Sequence, residues 1–410
     1  MTQHQVAETL QTEMRQELTE RILPFWMRNA VDRHLGGFVG HLSDRNVPAT
    51  NSPKGAVLNA RILWTFAAAF RAIGDPALVE MAERADDYIG RYFFDPVHGG
   101  VFWMVDAAGS PLDERKHVYA QAFAVYGLSE FHRATGDAES LRRAVEIFEL
   151  IERRAHDPLN GGYIEAFDRA WKPLGDVRLS AEDADEPKSM NTHLHLLEAY
   201  ANLLRMWPDD RLAERTRALI EIFLDRVIDR SSGHARLFFA ADWVPGLNAT
   251  SYGHDIETSW LLMDASDVIG DDGLRARVRD VSLALAEAVL AEAFDPAGGI
   301  FYEARPGGIV DTDKEWWPQA EAIVGFLNAY QETRRPDYLS AAWHTWAFIR
   351  RHIVDEEFGE WHWRVTRDGA VLPGHEKVGP WKCPYHNSRA CLEVIARVDA
   401  LSAARRTGQP

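Results

Sequence analysis

Apolar residues recur along this chain at helical spacing, in twelve stretches of two alternating kinds. One kind is striped. Roughly 6–30, 76–93, 137–155, 210–228, 271–293 and 336–353 carry their apolar residues on one face, as a helix does when it lies on a core with its back to water. The other kind occupies roughly 56–72, 117–134, 190–206, 254–269, 315–333 and 385–402. Several of its members, such as Ala56 to Ile73 and Ile323 to Tyr330, are apolar around much of their girth, the mark of a helix buried on most sides. Six surface and six buried helices in alternation predict an all-α double ring, an (α/α)6 barrel. Nothing between them reads as a linker, so residues 1–410 are expected to form a single domain, with Arg405 to Pro410 fraying at its end.

A repeated punctuation mark sets the period. Asp32-Arg-His-Leu-Gly-Gly-Phe38, Asp95-Pro-Val-His-Gly-Gly-Val-Phe102 and Asp157-Pro-Leu-Asn-Gly-Gly-Tyr163 are its clearest copies. Weaker ones are Asp229-Arg-Ser-Ser-Gly233, Asp295-Pro-Ala-Gly-Gly-Ile-Phe301 and Asp355-Glu-Glu-Phe-Gly-Glu-Trp361. Each is a turn opened by Asp and given backbone freedom by Gly. The short aromatic, alternating run after it predicts a brief strand, so small β-hairpins are expected in the connecting loops. Each turn leads into a buried helix. If those helices run parallel around one axis, their N-termini converge at one end of the barrel.

Composition narrows the partners. With 45 basic against 62 acidic residues and a net charge of −17, the chain is a poor match for nucleic acid or an anionic membrane surface. Two cysteines, Cys383 and Cys391, make neither a disulfide framework nor a metal knuckle. The first sixteen residues are polar, without a signal-peptide pattern, and no stretch reads as long enough and apolar enough to span a bilayer. A cytoplasmic location is expected, with the chain a monomer or weak homodimer.

The six buried-helix starts carry polar residues that a closed core would not need. The first presents Arg61 within an apolar face, which suits either a buried ion pair or a ligand oxygen. The second presents Tyr119, whose hydroxyl could serve a hydroxyl-rich ligand or sit at the rim of a core. In the third, Asn191 and His195 share a face. His193 and His195, two apart, point away from each other, and no pair of histidines four apart brackets a Glu, so no metal is expected. In the fourth, His254 and Glu257 share a face, giving an imidazole with a carboxylate to orient it. The fifth has Trp316, Trp317 and Glu321, consistent with an aromatic sugar platform or with core packing. The sixth has Trp381 and His386, with His375 in the loop before it.

Three histidines among fewer candidate acids favour proton transfer near neutral pH over the paired carboxylates of glycoside hydrolysis. Two such groups on opposite sides of a carbon next to a carbonyl could invert it without metal or nucleotide, and no glycine-rich phosphate loop is present, so no cofactor is expected. Here the motifs Met190-Asn-Thr-His-Leu-His-Leu-Leu-Glu-Ala-Tyr200, Ser251-Tyr-Gly-His-Asp-Ile-Glu257, Lys314-Glu-Trp-Trp-Pro-Gln-Ala-Glu-Ala322 and Trp381-Lys-Cys-Pro-Tyr-His-Asn-Ser-Arg389 resemble the cellobiose 2-epimerases of the N-acylglucosamine 2-epimerase superfamily. That resemblance implies an (α/α)6 barrel that converts the reducing-end glucose of a β-1,4 disaccharide to mannose through a cis-enediolate. It implies His254 and His386 as acid and base, His195 and Arg61 on the enediolate oxygens, and Glu257 orienting His254. Tyr119, Asn191, Glu321 and His375 would bind hydroxyls, with Trp317 and Trp381 stacking on the sugar. A monosaccharide glucose/mannose 2-epimerase, a mannose isomerase, a glycoside hydrolase and a non-catalytic sugar-binding protein are the competing readings.

Overall fold

The computed structural model of the protein describes residues 1–180 and 183–407. The inner ring consists of Ala56–Ile73, Val118–Thr135, Met190–Met206, Tyr252–Ile269, Trp316–Thr333 and Tyr385–Thr407. Each packs on the next, and the last returns to the first, closing an (α/α)6 barrel. Outside it lie helical segments at 3–30, 76–93, Ala138–Arg154, 210–227, Asp272–Glu292 and 336–353. The predicted division into buried and striped helices holds. Every residue from Ala56 to Ala69 is buried, whereas Ala138–Arg154 buries one stripe containing Ala144, Ile147, Phe148 and Ile151. The Arg405-to-Pro410 tail is helical through Thr407, and Gly408 to Pro410 lie outside the described residues.

One expectation needs correction. Ala56–Ile73, at 18 residues and a mean hydropathy of 1.3, is long and apolar enough to cross a membrane by length and composition. Instead, 78% of it is buried in the barrel wall, as a core helix requires.

Inner and outer helices are joined by tight αα-turns. Three inner helices end at a glycine in the left-handed region (Gly74, Gly136, Gly270), and the next residue, Asp75, Asp137 or Asp271, caps the outer helix with its carboxylate. The other end is built by the punctuation marks. In the second, the Asp95 N–H donates to Gly100 O at 2.9 Å, and Asp95 Oδ1 accepts from the Val97 N–H at 2.9 Å. Phe94 and Val101 form a one-residue bridge across the turn.

The marks are locked by a device invisible in the helical pattern. A buried lysine just before an inner helix reaches back to the acid of its own mark. The pairs are Lys54–Asp32, Lys116–Asp95, Lys188–Asp157, Lys314–Asp295 and Lys382–Glu360, at 2.8–3.2 Å. The same short segments form a ring of antiparallel ladders. Lys54–Gly55 pairs with Met104–Val105, Lys116–His117 with Ala166–Phe167, Lys188–Ser189 with Phe238–Phe239, Thr250–Ser251 with Glu303–Arg305, and Lys314–Glu315 with Arg364–Val365. A Leu42–Val378 bridge closes the circle. All six inner-helix starts are therefore tied to the hairpin of the following repeat, and five of them also to their own turn.

Candidate active site

The lysine register explains which side chains face the axis. Five residues past Lys54, Lys116, Lys188, Thr250, Lys314 and Lys382 stand Asn59, Gln121, His193, Asp255, Gln319 and Asn387. Most of these turn back to the marks. Gln121 bonds both the N–H and C=O of Val101 at 2.8 Å, Gln319 does the same at Ile300, and Asp255 accepts from the Ala235 N–H at 2.8 Å. Two residues further on, half a helical turn round, come Arg61, Phe123, His195, Glu257, Glu321 and Arg389. These occupy the interior.

Arg389 is the interior's hub. Its guanidinium bonds Glu198 and the Tyr385 hydroxyl through Nη1, and Glu257 (2.5 Å) and Glu321 (2.7 Å) through Nη2. The carboxylates pass this order outward. Glu198 bonds His195 Nδ1 at 3.0 Å and accepts from the Tyr385 hydroxyl at 2.6 Å. Glu321 bonds His386 Nδ1 at 2.6 Å and accepts from Trp260 Nε1 at 3.0 Å. Burial works to raise Glu198, but Arg389, His195 and Tyr385 outweigh it and hold the acid at about 2. Burial and neighbouring Glu321 instead raise Glu257 to about 7 despite Arg389, and its Oε2 has no partner. Glu257, Glu321 and His386 offer metal-ligating atoms within 4.8 Å of one another, but the cation seated on both carboxylates is the Arg389 guanidinium.

Arg61 is the second interior cation, and no carboxylate pairs with it among the described residues. It donates to the Tyr119 hydroxyl at 2.8 Å and lies over the rings of Phe123 and Tyr385, at 4.2 and 4.8 Å from their centroids. Its Nε is buried and unpartnered. At the N-terminal end of the inner ring, where helix dipoles also favour negative charge, it is placed to meet an oxyanion.

His254 and His386 stand at the same register position, two repeats apart and so about a third of the way round the ring from each other. Both imidazoles lie against Trp317, at 4.8 and 5.6 Å between ring centroids. His254 Nδ1 bonds Ser251 Oγ at 2.8 Å, and neither its Nε2 nor that of His386 has a hydrogen-bond partner among the described residues. Burial, with His195 adding, pushes His254 down to about 3; burial, Arg61 and Arg389 push His386 well below the usual histidine range. Both imidazoles are therefore held neutral at neutral pH.

Gly253 makes this arrangement possible. A Cβ there would stand 2.6 Å from Trp317 Cη2 and 2.9 Å from Pro318 Cβ. Gly253→Ala is expected to displace the indole, lower stability by about 1–3 kcal/mol and cut turnover at least about tenfold. Urea unfolding beside steady-state kinetics checks both.

The structure brings most of the sequence-derived site together. Tyr119 meets His195 edge-on (5.1 Å) and Trp381 (6.0 Å), and Asn191 and His254 line one cleft of about 190 Å³. His375 lies farther out, stacked on Trp363 at 5.6 Å. Two assignments change. Glu257 does not orient His254, since its bonded oxygen goes to Arg389 and Ser251 takes the imidazole instead. Glu321 is not a hydroxyl ligand, because its oxygens are taken by His386, Arg389 and Trp260. Glu198, Ser251 and Arg389 are site residues that sequence reasoning misses. The spacing of His195 to Glu198 and the shared register of Arg61 and Arg389 were the signals available.

With this geometry in place, the N-acylglucosamine 2-epimerase family model matches residues 36–390. The cellobiose 2-epimerase of Bacteroides fragilis is 46% identical over 95% of this chain and 99% of its own. The chain belongs to the N-acylglucosamine 2-epimerase family. Within it, the cellobiose 2-epimerase structure from Bacillus thermoamylovorans superposes with a TM-score of 0.92 at 39% identity, covering 95% of this chain and all of that one. A D-mannose isomerase, at 21% identity and a TM-score of 0.82 over 94% and 97% of the two chains, shares the fold.

Proposed function

We propose that this member of the N-acylglucosamine 2-epimerase family interconverts the reducing-end glucose and mannose of β-1,4-linked disaccharides such as cellobiose. The observation that carries the chemistry is the pair of neutral histidines, each with its Nδ1 engaged and its Nε2 free, set a third of the ring apart on a shared indole wall. Similarity to the named cellobiose 2-epimerases supports the disaccharide, as does a cleft running from His254 to Tyr302, Glu303 and Arg305.

On the open-chain sugar, one imidazole Nε2 takes the C2 proton. The C2–H electron pair moves into a C1–C2 double bond, and the aldehyde oxygen becomes the enediolate oxyanion. Arg61, lacking a carboxylate of its own, compensates that charge, with His195 nearby through Tyr119. After rotation about C2–C3, the other histidine donates its Nε2–H to the opposite face of C2 while its Nδ1 takes up a replacement proton, so that the ring ends neutral. Glu321 can exchange a proton with His386 Nδ1, and the Ser251 hydroxyl can either donate to or accept from His254 Nδ1, so each ring has a partner for the tautomer it needs. A hydrolase would need its two carboxyl groups across a glycosidic bond, roughly 5–9.5 Å apart. Here Glu257 and Glu321 share one guanidinium nitrogen.

Because the proton delivered is not the one removed, turnover in D2O should place deuterium at C2 of every epimer formed, to the extent that the donating histidine exchanges with solvent. NMR of cellobiose incubated with the protein tests this. A ketose, free glucose, or turnover of glucose or mannose but not cellobiose would each overturn a different part of the proposal.

A further inference from the structure

One carboxylate beside the site takes no part in the proton transfer. Glu315 ends the Lys314–Glu315 strand, paired with Arg364–Val365, and its side chain is buried. Its Oε2 accepts from Trp317 Nε1 at 3.1 Å, and Arg364 Nη1 stands 3.6 Å from its Oε1. The neighbouring Trp363 side chain also favours its charged form. Trp363 packs on Trp316 at 4.6 Å and stacks on His375 at 5.6 Å. One buried acid thus ties the indole that backs both histidines to Arg364 on the neighbouring strand.

The site of that acid is an unfavourable one. Burial raises it to about 7 against the pull of Arg364, Trp317 and Trp363, and the other charged or titratable groups around it are Asp311, Asp313 (through Arg364) and Tyr302. Its folded-state value lies above the unfolded 4.5, so the folded protein binds the extra proton, and stability declines as pH rises from about 4.5 to 7. A purely structural acceptor would gain by being uncharged.

We infer that Glu315 is a positioning residue for the reaction, fixing the edge of Trp317 so that its face holds both proton-transferring histidines in register with C2 of the sugar. The kinetic arm of this inference rests on the proposed epimerisation; the spectroscopic arm does not. Protein labelled with ¹⁵N at the tryptophan indoles would be followed by NMR, with the Trp317 resonance assigned by its loss in Trp317→Phe. In the wild type that resonance should move with pH around a midpoint near 7, and in Glu315→Gln the movement should vanish. Glu315→Leu should lower kcat at least about tenfold with KM within about threefold, and Glu315→Gln, which still accepts from the indole, should recover most of the rate. Both variants should melt at or above the wild-type temperature at pH 8.

Unchanged titration of Trp317 in Glu315→Gln, or an unchanged kcat in Glu315→Leu, would overturn the inference. A lower melting point in Glu315→Gln would reduce the residue to a structural one. If Glu315→Leu does not fold, the Gln variant carries the comparison through its resonance and melting point. If the wild type turns over no sugar, the proposed function fails while the resonance still decides whether Glu315 holds Trp317.

Discussion

Replacing His254 or His386 with Asn should remove about 10²–10⁴ of the epimerisation rate while the barrel stays folded. The two losses should differ in kind. A variant with one histidine left can still take a proton from C2 and return one to the same face. One variant should therefore exchange the C2 hydrogen of the glucose-ended sugar with D2O without forming the epimer, and the other should do so only with the mannose-ended sugar. That pattern assigns each imidazole to a face of C2. Near-normal epimerisation in either variant, or exchange of both sugars by both variants, would rule out the two-base mechanism. In the wild type, both histidines are neutral well below the ordinary histidine range, because burial and the neighbouring cations disfavour their protonation. The acid limb of kcat/KM should accordingly lie well below 6.5.

The ring of helices was legible because its signal is long-range and redundant. Six buried stretches alternate with six striped ones, and six turns separate them at nearly equal spacing. His254, His386 and Arg61 were legible too, as polar residues recurring at the starts of buried helices. What could not be read was who holds whom. Glu257 lies three residues from His254 on one helix, and local geometry therefore nominated it as the orienting acid. The actual partner, Ser251, precedes the helix, and Glu257 is claimed by Arg389 from another repeat, 132 residues away in sequence. The lysine locks, which lie within single repeats, escaped for a different reason. Lys116 and Asp95 look like ordinary surface charges until the fold buries both. Bonds between repeats leave no periodicity in the chain; they emerge once the ring closes and equal register positions meet at the axis.

Arg389→Met should be the most damaging substitution to stability, costing about 3–5 kcal/mol or more, because it leaves Glu198, Glu257 and Glu321 buried without the cation that bonds all three. Lysine should rescue only part of this loss, since one ammonium cannot reproduce a planar fork serving three carboxylates from two nitrogens. The cost has a definite pH dependence. In the wild type, Glu198 is held at about 2, below its unfolded value, so its pairing contributes fully at neutral pH and is lost as pH falls through that range. Without Arg389, burial raises Glu198 above its unfolded value and pushes Glu321, already raised, further up, and the folded state must then bind protons that the unfolded chain does not. The variant should therefore lose further stability with rising pH, and its deficit in urea unfolding should be larger at pH 8 than at pH 5. Turnover should fall along with it, because Glu321 loses the guanidinium that steadies it against His386, and Glu198 loses the one that steadies it against His195. A deficit under about 1 kcal/mol, or one that shrinks as pH rises, would mean that the three carboxylates are neutral in the wild type and that Arg389 is not what organises the interior.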